Sequence, residues 1–253
     1  MKNAAKKWAV ITAGTKGIGK ALVEKFSQEG FSILTCSRNS DDLAALQKAI
    51  VESGASAPGG AASVGANSGV ECKIMKADLS VAHEVSRFAE FCLRSAPQTD
   101  VLINNAGIYL PGQIHSEPDG ALEKMIETNL YSAYHLTRKL IGPMMARRKG
   151  HLFNICSTAS ITPYVNGGSY CISKYALHGM TKVLREEMKP HGVRVTSVIP
   201  GATRTASWEG TTLPDERFMK AEDVAAAVWA AYALSDQAVV EELVLRPQLG
   251  DLG

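Results

Sequence analysis

The sequence predicts an α/β fold: a doubly wound parallel sheet of about seven strands with helices on both faces, in a single domain over residues 1–253. Three observations carry that expectation. Six short apolar runs are each followed by a stretch of helical periodicity, and a seventh run closes the pattern. Glycines cluster at the first strand-to-helix turn. Gly17, Asn105, Ser157 and Pro200, far apart in sequence, all fall at the carboxyl ends of strands, where open parallel sheets bind their ligands.

Trp8 to Thr12 is an apolar, β-rich run suited to a strand buried on both faces. Thr12-Ala-Gly14-Thr-Lys16-Gly17-Ile-Gly19 follows at once. Ile18, Ala21, Leu22 and Phe26 then recur at helical spacing until Gly30, a C-cap signal. A glycine turn between strand and helix lets a diphosphate approach the backbone and meet the helix N-terminus. Glycine clusters also make tight turns with no ligand, but the strand–turn–helix context favours phosphate. Ser32 to Cys36 reads as a second strand, followed by Ser37-Arg38-Asn39. A helix over Asn39–Ser53 comes next, with Asn39 as its N-cap and Leu43, Leu46 and Ile50 inward. In residues 53–69, fourteen of seventeen are Gly, Ala or Ser, which predicts a flexible surface loop. The alternation resumes beyond it, so it is no domain linker. Glu71–Lys76 is a third strand with Asp78 just beyond, and a helix over about 80–95 buries Val85, Phe88 and Cys92. Val101–Asn104 is a fourth strand, closed by the turn Asn105-Ala106-Gly107.

A long helical pattern starts near Asp119 and places Leu122, Met125, Ile126, Leu130 and Ala133 on one face. Pro143 is expected to kink or end it, and Arg147-Arg148-Lys149 to form its solvated cationic end. Leu152–Cys156 is a fifth strand ending in Ser157. A loop with Pro163, Gly167 and Gly168 leads into a helix from Ser169 to Pro190. Arg194–Ile199 is a sixth strand, ending in Pro200-Gly201. Residues 202–220 form a short connection whose only aromatics are Trp208 and Phe218. Ala221–Ser235 is the final helix, with Glu222 and Asp223 in its first turn, and Val239–Leu245 the last strand.

Bulk numbers exclude several classes. Hydrophobic content of 45% with 21% charged residues is ordinary globular composition, and a net charge of +2 argues against nucleic acid or a membrane surface as partner. Five cysteines, at 36, 72, 92, 156 and 171, form no C-x-x-C pair and read as buried residues of a reducing compartment. Six histidines form no H-x-x-x-H pair, so no metal site is expected. No apolar run reaches the roughly 18 residues of a membrane span, and Trp8–Ile11 is too short for a signal-peptide core, which predicts a cytoplasmic location.

The chemistry concentrates in one stretch. Tyr170 and Lys174 are spaced i, i+4, a turn apart on one helical face, and Ser157 precedes Tyr170 by thirteen positions at a strand's end. A phenol titrates near about 10 in water, and a neighbouring cation favours its ionised form, which makes the pair a sensible proton donor. Tyr and Lys at this spacing are also common on solvated faces; Ser157 is what lifts the pair above that background.

Ser157 followed by Tyr170-Cys-Ile-Ser-Lys174 resembles, in order and spacing, the signature of the short-chain dehydrogenase/reductase family. Thr12–Gly19 resembles that family's T-G-x-x-x-G-x-G, with Ala13 where the first glycine is usual; if the turn needs positive φ there, Gly14 is expected to carry the bend. Asn104-Asn105-Ala106-Gly107 matches its N-N-A-G, and Thr128-Asn129-Leu130 its catalytic asparagine segment. The likeness covers nearly the whole chain outside 53–69. It implies a Rossmann-like fold and reduction of a small-molecule ketone or aldehyde. By the resemblance Asn129, Ser157, Tyr170 and Lys174 are catalytic: Tyr170 donates the proton, Lys174 lowers its pKa and holds the nicotinamide ribose, Ser157 binds the substrate oxygen and Asn129 anchors a water. The implied cofactor contacts come from Gly14, Thr15, Lys16, Gly17, Ile18, Gly19, Arg38, Asp78, Leu79, Asn105, Ala106, Gly107, Tyr170, Lys174, Pro200, Gly201, Thr203 and Thr205, with 202–220 as a substrate lid. Because the helices matching Asp119–Arg148 and Ser169–Pro190 pack across a two-fold axis in relatives, the resemblance implies a homotetramer or homodimer. The ending Glu241–Pro247 with Asp251 faintly resembles the bacterial sepiapterin-reductase branch, where an acidic residue grips a pterin.

The cofactor expected is NADP(H). An NAD-preferring site places a carboxylate after the second strand, and Cys36-Ser37-Arg38-Asn39 has none; Arg38 and Lys16 offer cations to a 2′-phosphate instead. A 3-oxoacyl-thioester reductase and an NAD-linked alcohol dehydrogenase remain open within the family. A catalytically silent nucleotide-sensing protein remains open outside that chemistry.

Overall fold

The apolar runs pair side by side as β1 (Trp8–Thr12), β2 (Ser32–Ser37), β3 (Cys72–Lys76), β4 (Val101–Asn104), β5 (His151–Ile155), β6 (Arg194–Pro200) and β7 (Glu242–Leu245). In this computed structural model, which describes residues 6–54 and 69–252, they form one parallel sheet in the order β3-β2-β1-β4-β5-β6-β7. The chain begins at β1, steps outward to β3, then crosses back to β4 on the other side of β1 and proceeds to β7. Connections therefore leave in opposite directions at β1 and β4, and a crevice opens at the carboxyl ends of those two strands.

Among the described residues, seven α-helices connect them: α1 (Gly17–Gln28), α2 (Ser40–Gly54), α3 (Ala82–Ser95), α4 (Ala121–Ile126), α5 (Ser132–Arg147), α6 (Gly168–Met188) and α7 (Ala221–Ala233). The period of two along the strands divides the core. Ala9, Ile11, Ile33 and Ile103 meet Leu22 and Phe26 of α1, Ile50 of α2 and Val224 and Val228 of α7 on one face. Trp8, Val10, Leu34 and Leu102 meet Phe88 of α3, Leu136 and Leu140 of α5 and Met188 of α6 on the other. A buried polar ladder crosses the second layer. Asn104 Nδ2 donates to Thr137 Oγ1 at 3.0 Å and to Asn154 Oδ1 at 2.8 Å, and Asn154 Nδ2 donates to Thr181 Oγ1 at 2.8 Å. It ties β4 and β5 to α5 and α6.

Several boundaries differ from expectation. α2 runs to Gly54, so Ser53 is helical; the rest of the expected 53–69 loop falls on 55–68, outside the described residues. The long helix near Asp119 is α4, a π-helical turn at Glu127–Tyr131, and α5. Pro143 does not end it: α5 continues to Arg147, because Leu140 and Met144 are buried against the sheet and hold the last turn. Arg147 is no solvated end either. Its Nη1 lies 3.3 Å from Asp100 Oδ1 and its Nη2 donates to the Thr99 carbonyl, clasping the start of β4. Arg148 then ends the helix in a left-handed conformation, φ 52°. All five cysteines are buried and free. No described helix is long and apolar enough to cross a membrane, and no group of three His, Cys, Asp or Glu among the described residues is placed to hold a metal.

Candidate active site

The crevice between β1 and β4 is built from both strand ends. Thr12 Oγ1 accepts from the backbone N–H groups of Asn105 (2.8 Å) and Ala106 (2.9 Å), while Asn105 Nδ2 donates to the carbonyls of Thr12 (3.0 Å) and Ala13 (3.3 Å). Gly19 fits closely here, since a Cβ on it would run into the Ala13 carbonyl and Asn105 Nδ2. The left-handed residue of the turn is Ala13 itself, φ 53°, and not Gly14. Gly14 is needed for a different reason: a Cβ there would collide with Thr35 Oγ1, which is fixed on β2 by its hydrogen bond to the Ile11 carbonyl at 2.7 Å.

α1 opens from Lys16 in extended backbone, without a side-chain cap and without an acidic residue in its first turn. Its first N–H groups therefore face the crevice end without a side-chain partner, which suits an anion. Gly17 has φ +52°, and a Cβ on it would come within 2.9 Å of Thr205 Cγ2, so the connection after β6 lies against the glycine turn. Ile18 packs on the first core layer, and Thr15 Oγ1 reaches Ser37 Oγ at 3.1 Å. Beyond Ser37, Arg38 is exposed and makes no ion pair among the described residues. Lys16 is already engaged, with its Nζ 3.2 Å from Asp42. Asn39 caps α2 as expected, its Oδ1 accepting from the N–H of Asp41 (2.8 Å) and Asp42 (3.1 Å). Asp78 organises the turn before α3, accepting from Ser80 N at 3.0 Å and Ser80 Oγ at 2.7 Å, with Leu79 buried beside it. Burial opposes its ionisation, but the Ser80 hydrogen bonds and the nearby Arg38 outweigh burial and hold the carboxyl below its ordinary value.

Two strands along, β5 delivers Ser157 to the same edge, and α6 delivers Tyr170 and Lys174. The Ser157 hydroxyl stands beside the Tyr170 phenol and accepts from Ala159 N at 3.1 Å. Lys174 is 5% exposed, and its Nζ donates to the Ile155 carbonyl at 2.9 Å. It stands 5.8 Å from the centroid of the Tyr170 ring. Burial pushes the phenol up to about 12, the neighbouring Ser157 hydroxyl partly offsetting it, and burial pulls the Lys174 ammonium down. Lys174 does not lower Tyr170 here as expected: desolvation of the ring dominates, and the ammonium is turned to the Ile155 carbonyl.

Asn129 completes the cluster from the π-helical turn. It is fully buried, accepts from Ile108 N at 2.7 Å, and donates to the Ile108 carbonyl at 3.0 Å and to Ser173 Oγ at 2.9 Å. Ser173 Oγ in turn donates to the Tyr170 carbonyl at 2.8 Å. Gly107 fits between: a Cβ there would stand 3.3 Å from Asn129 Oδ1 and 3.4 Å from Lys174 Nζ. Pro200 and Thr203 are buried at the end of β6, Gly201 N donates to the Leu245 carbonyl at 2.8 Å, and Thr203 Oγ1 to the Gly201 carbonyl at 3.0 Å. Trp208 and Phe218 pack on each other at 5.0 Å, filling the interior of the 202–220 connection. Asp251 lies beside Gly201 but is already ion-paired with Arg246.

Sequence reasoning assigned no role to Thr12, Ser173, Tyr109 or the Ile155 carbonyl. Ser173 lies inside the Tyr170–Lys174 stretch and was within reach; the other three are defined only by which strands become neighbours.

An oxidoreductase frame of this kind has recognisable relatives. The family described as short chain dehydrogenase matches residues 7–215, and the chain belongs to that family of enzymes. Sepiapterin reductase of Chlorobaculum tepidum is 30% identical over 253 residues, covering 96% of this chain and 97% of the relative. A 3beta-hydroxysteroid dehydrogenase of Eggerthella lenta is 32% identical over 248 residues, covering 91% and 88%. The crystal structure of a metagenomic short-chain oxidoreductase in complex with NADP aligns with a TM-score of 0.79 at 28% identity, covering 96% of this chain and 97% of that one.

Proposed function

We propose that the protein reduces the carbonyl of a small-molecule ketone or aldehyde to an alcohol, with NADPH as its cofactor. The observation that carries this is Tyr170 flanked by the Ser157 hydroxyl and, 5.8 Å from its ring centroid, the buried Lys174 ammonium, at the same sheet edge as the uncapped start of α1. The residues suit the cofactor. The crevice presents α1 N–H groups to a diphosphate, Gly107 leaves room before Lys174, and Arg38, without an ion pair among the described residues, offers a guanidinium where a carboxylate would disfavour a 2′-phosphate. The related metagenomic enzyme was crystallised with NADP.

When bound, the reduced nicotinamide supplies a hydride to the carbonyl carbon. Tyr170 donates the proton to the developing alkoxide, and its raised pKa keeps the phenol protonated across the working range. Ser157 Oγ turns from the phenol to the substrate oxygen and stabilises charge there. Lys174 holds a ribose hydroxyl. Asn129 spends both amide hydrogens on Ile108 and Ser173 and one lone pair on Ile108 N, which leaves one lone pair for a water toward Lys174.

The test is NADPH oxidation over a panel of ketones by wild type and Tyr170→Phe. Loss of a positioned proton donor lowers turnover by about 10²–10⁴-fold with NADPH affinity retained. Turnover by Tyr170→Phe within about tenfold of wild type overturns the assignment.

A further inference from the structure

The approach to Tyr170 is walled by aromatic rings on two segments that carry no charged side chain of their own. Tyr109 sets its ring edge-on to Tyr170, with centroids 4.9 Å apart and planes at 77°. Tyr164 stands beside these two rings, and burial together with the neighbouring Tyr109 and Tyr170 phenols pushes it well above the ordinary tyrosine value. Two segments are fastened together around this trio. Gly112 N donates to the Asn166 carbonyl at 3.0 Å, Gln113 Nε2 to Asn166 Oδ1 at 2.9 Å, and Gly112 pairs with Gly167. The fastening brings an apolar rim into the open: Ile114 is 71% exposed, Val165 79%, Tyr164 46% and Ile161 37%. Neither Asn105–Ile114 nor Cys156–Ser173 contains an Asp, Glu, Lys, Arg or His.

Exposed apolar surface collected at a cleft marks a binding surface, and this patch is continuous with the proton donor itself. We propose that it receives the ring system of an uncharged polycyclic or aryl-fused ketone, with Tyr109 and Tyr164 as specificity-determining residues. The proposal rests on the carbonyl-reduction reading and adds the class of substrate. Ring faces and edges pack well on tyrosine, whose hydroxyl stays hydrogen-bonded at the margin. A carboxylate or phosphate on the substrate would lose its hydration against this wall and gain no cation, because the buried Lys174 is turned to Ile155. A small ketone would leave Tyr109, Tyr164 and the rim in water and gain none of that burial.

The experiment compares kcat/KM with NADPH for three probes: β-tetralone as a neutral bicyclic ketone, diacetyl as a small neutral one, and pyruvate as a charged one. Wild type should favour β-tetralone over diacetyl by about a hundredfold, with pyruvate lowest. Tyr109→Ala and Tyr164→Ala should each reduce the tetralone-to-diacetyl ratio about tenfold, chiefly through KM, while Tyr164→Phe keeps the ring and most of the ratio. NADPH affinity of each variant, read by fluorescence titration, reports that the fold and cofactor crevice are intact. Equal efficiency on the three probes overturns the inference, as does an unchanged ratio in both alanine variants with NADPH bound normally, the result expected if the rim instead seats another protein. No turnover of any probe, or no NADPH binding by wild type, overturns the carbonyl-reduction reading and this inference with it.

Discussion

Ala13 is held at φ 53°, a conformation that costs an L-residue about 1–2 kcal/mol and a glycine little. Ala13→Gly should therefore raise stability by about 0.5–1 kcal/mol after the greater unfolded-state entropy of glycine is counted, or about 2 °C in Tm. Thermal unfolding of the two proteins decides it; a lower Tm for the glycine variant would show that the turn is not strained. The missing glycine was visible in the sequence, but which residue bends was not. Gly14 is demanded by Thr35, a contact that exists only because β2 lies against β1. Arg38 is assigned from its place after the second strand, which in this fold faces the adenosine end of the crevice. Arg38→Ala should weaken NADPH binding about ten- to hundredfold, the worth of a charge-assisted contact of roughly 1.5–3 kcal/mol, and leave NADH binding nearly unchanged. Lys16→Ala should cost less, because Asp42 already shares that ammonium. Equal losses for the two cofactors on removal of Arg38 would refute the 2′-phosphate assignment.

At the scale of elements, caps explain what could be read and what could not. Asn39 caps α2 from the adjoining position, a local signal, and the structure bears it out. The N-terminus of α6 is satisfied from far away. Glu117 Oε1 accepts from Ser169 N at 2.9 Å and Oε2 from the Ser169 hydroxyl, one residue before Tyr170. Gly168 exists to admit that carboxylate, since a Cβ on it would overlap Glu117 Oε1. The carboxylate meets the positive end of the helix that carries both Tyr170 and Lys174. Glu117→Ala should lower stability by about 1–2 kcal/mol, and Glu117→Gln by less, as measured by chemical denaturation. Equal stability of all three proteins would show that the contact is idle. Asn129 was picked out by the resemblance, but its burial was similarly opaque, because a strict 3.6-residue period gave no sign of the π-helical turn that buries it.

For the whole molecule, the alternation of strands and helices was enough to give the doubly wound parallel sheet, and with it the edge at which Gly17, Asn105, Ser157 and Pro200 gather. What periodicity could not give is how the outer faces of the helices are finished. α6 turns Lys174, Leu177, His178 and Thr181 inward, yet its outer face carries Ile172 (40% exposed), Tyr175 (42%) and Val183 (60%), with Gly179 open between them. Tyr131 and Tyr134, at the junction into α5, are 50% and 42% exposed. Spacing of three to four residues aligns Ile172, Tyr175, Gly179 and Val183 as one stripe, and a surface helix ordinarily turns charge to water along that line. We infer that a second copy of the chain covers it, in a homodimer or a homotetramer, as the family resemblance leads one to expect. Sedimentation at micromolar concentration should give a dimer or larger, and Tyr175→Glu with Val183→Glu should shift it toward monomer by placing two carboxylates in an apolar contact. A monomeric wild type, or an unshifted double variant, would mean that the stripe faces water.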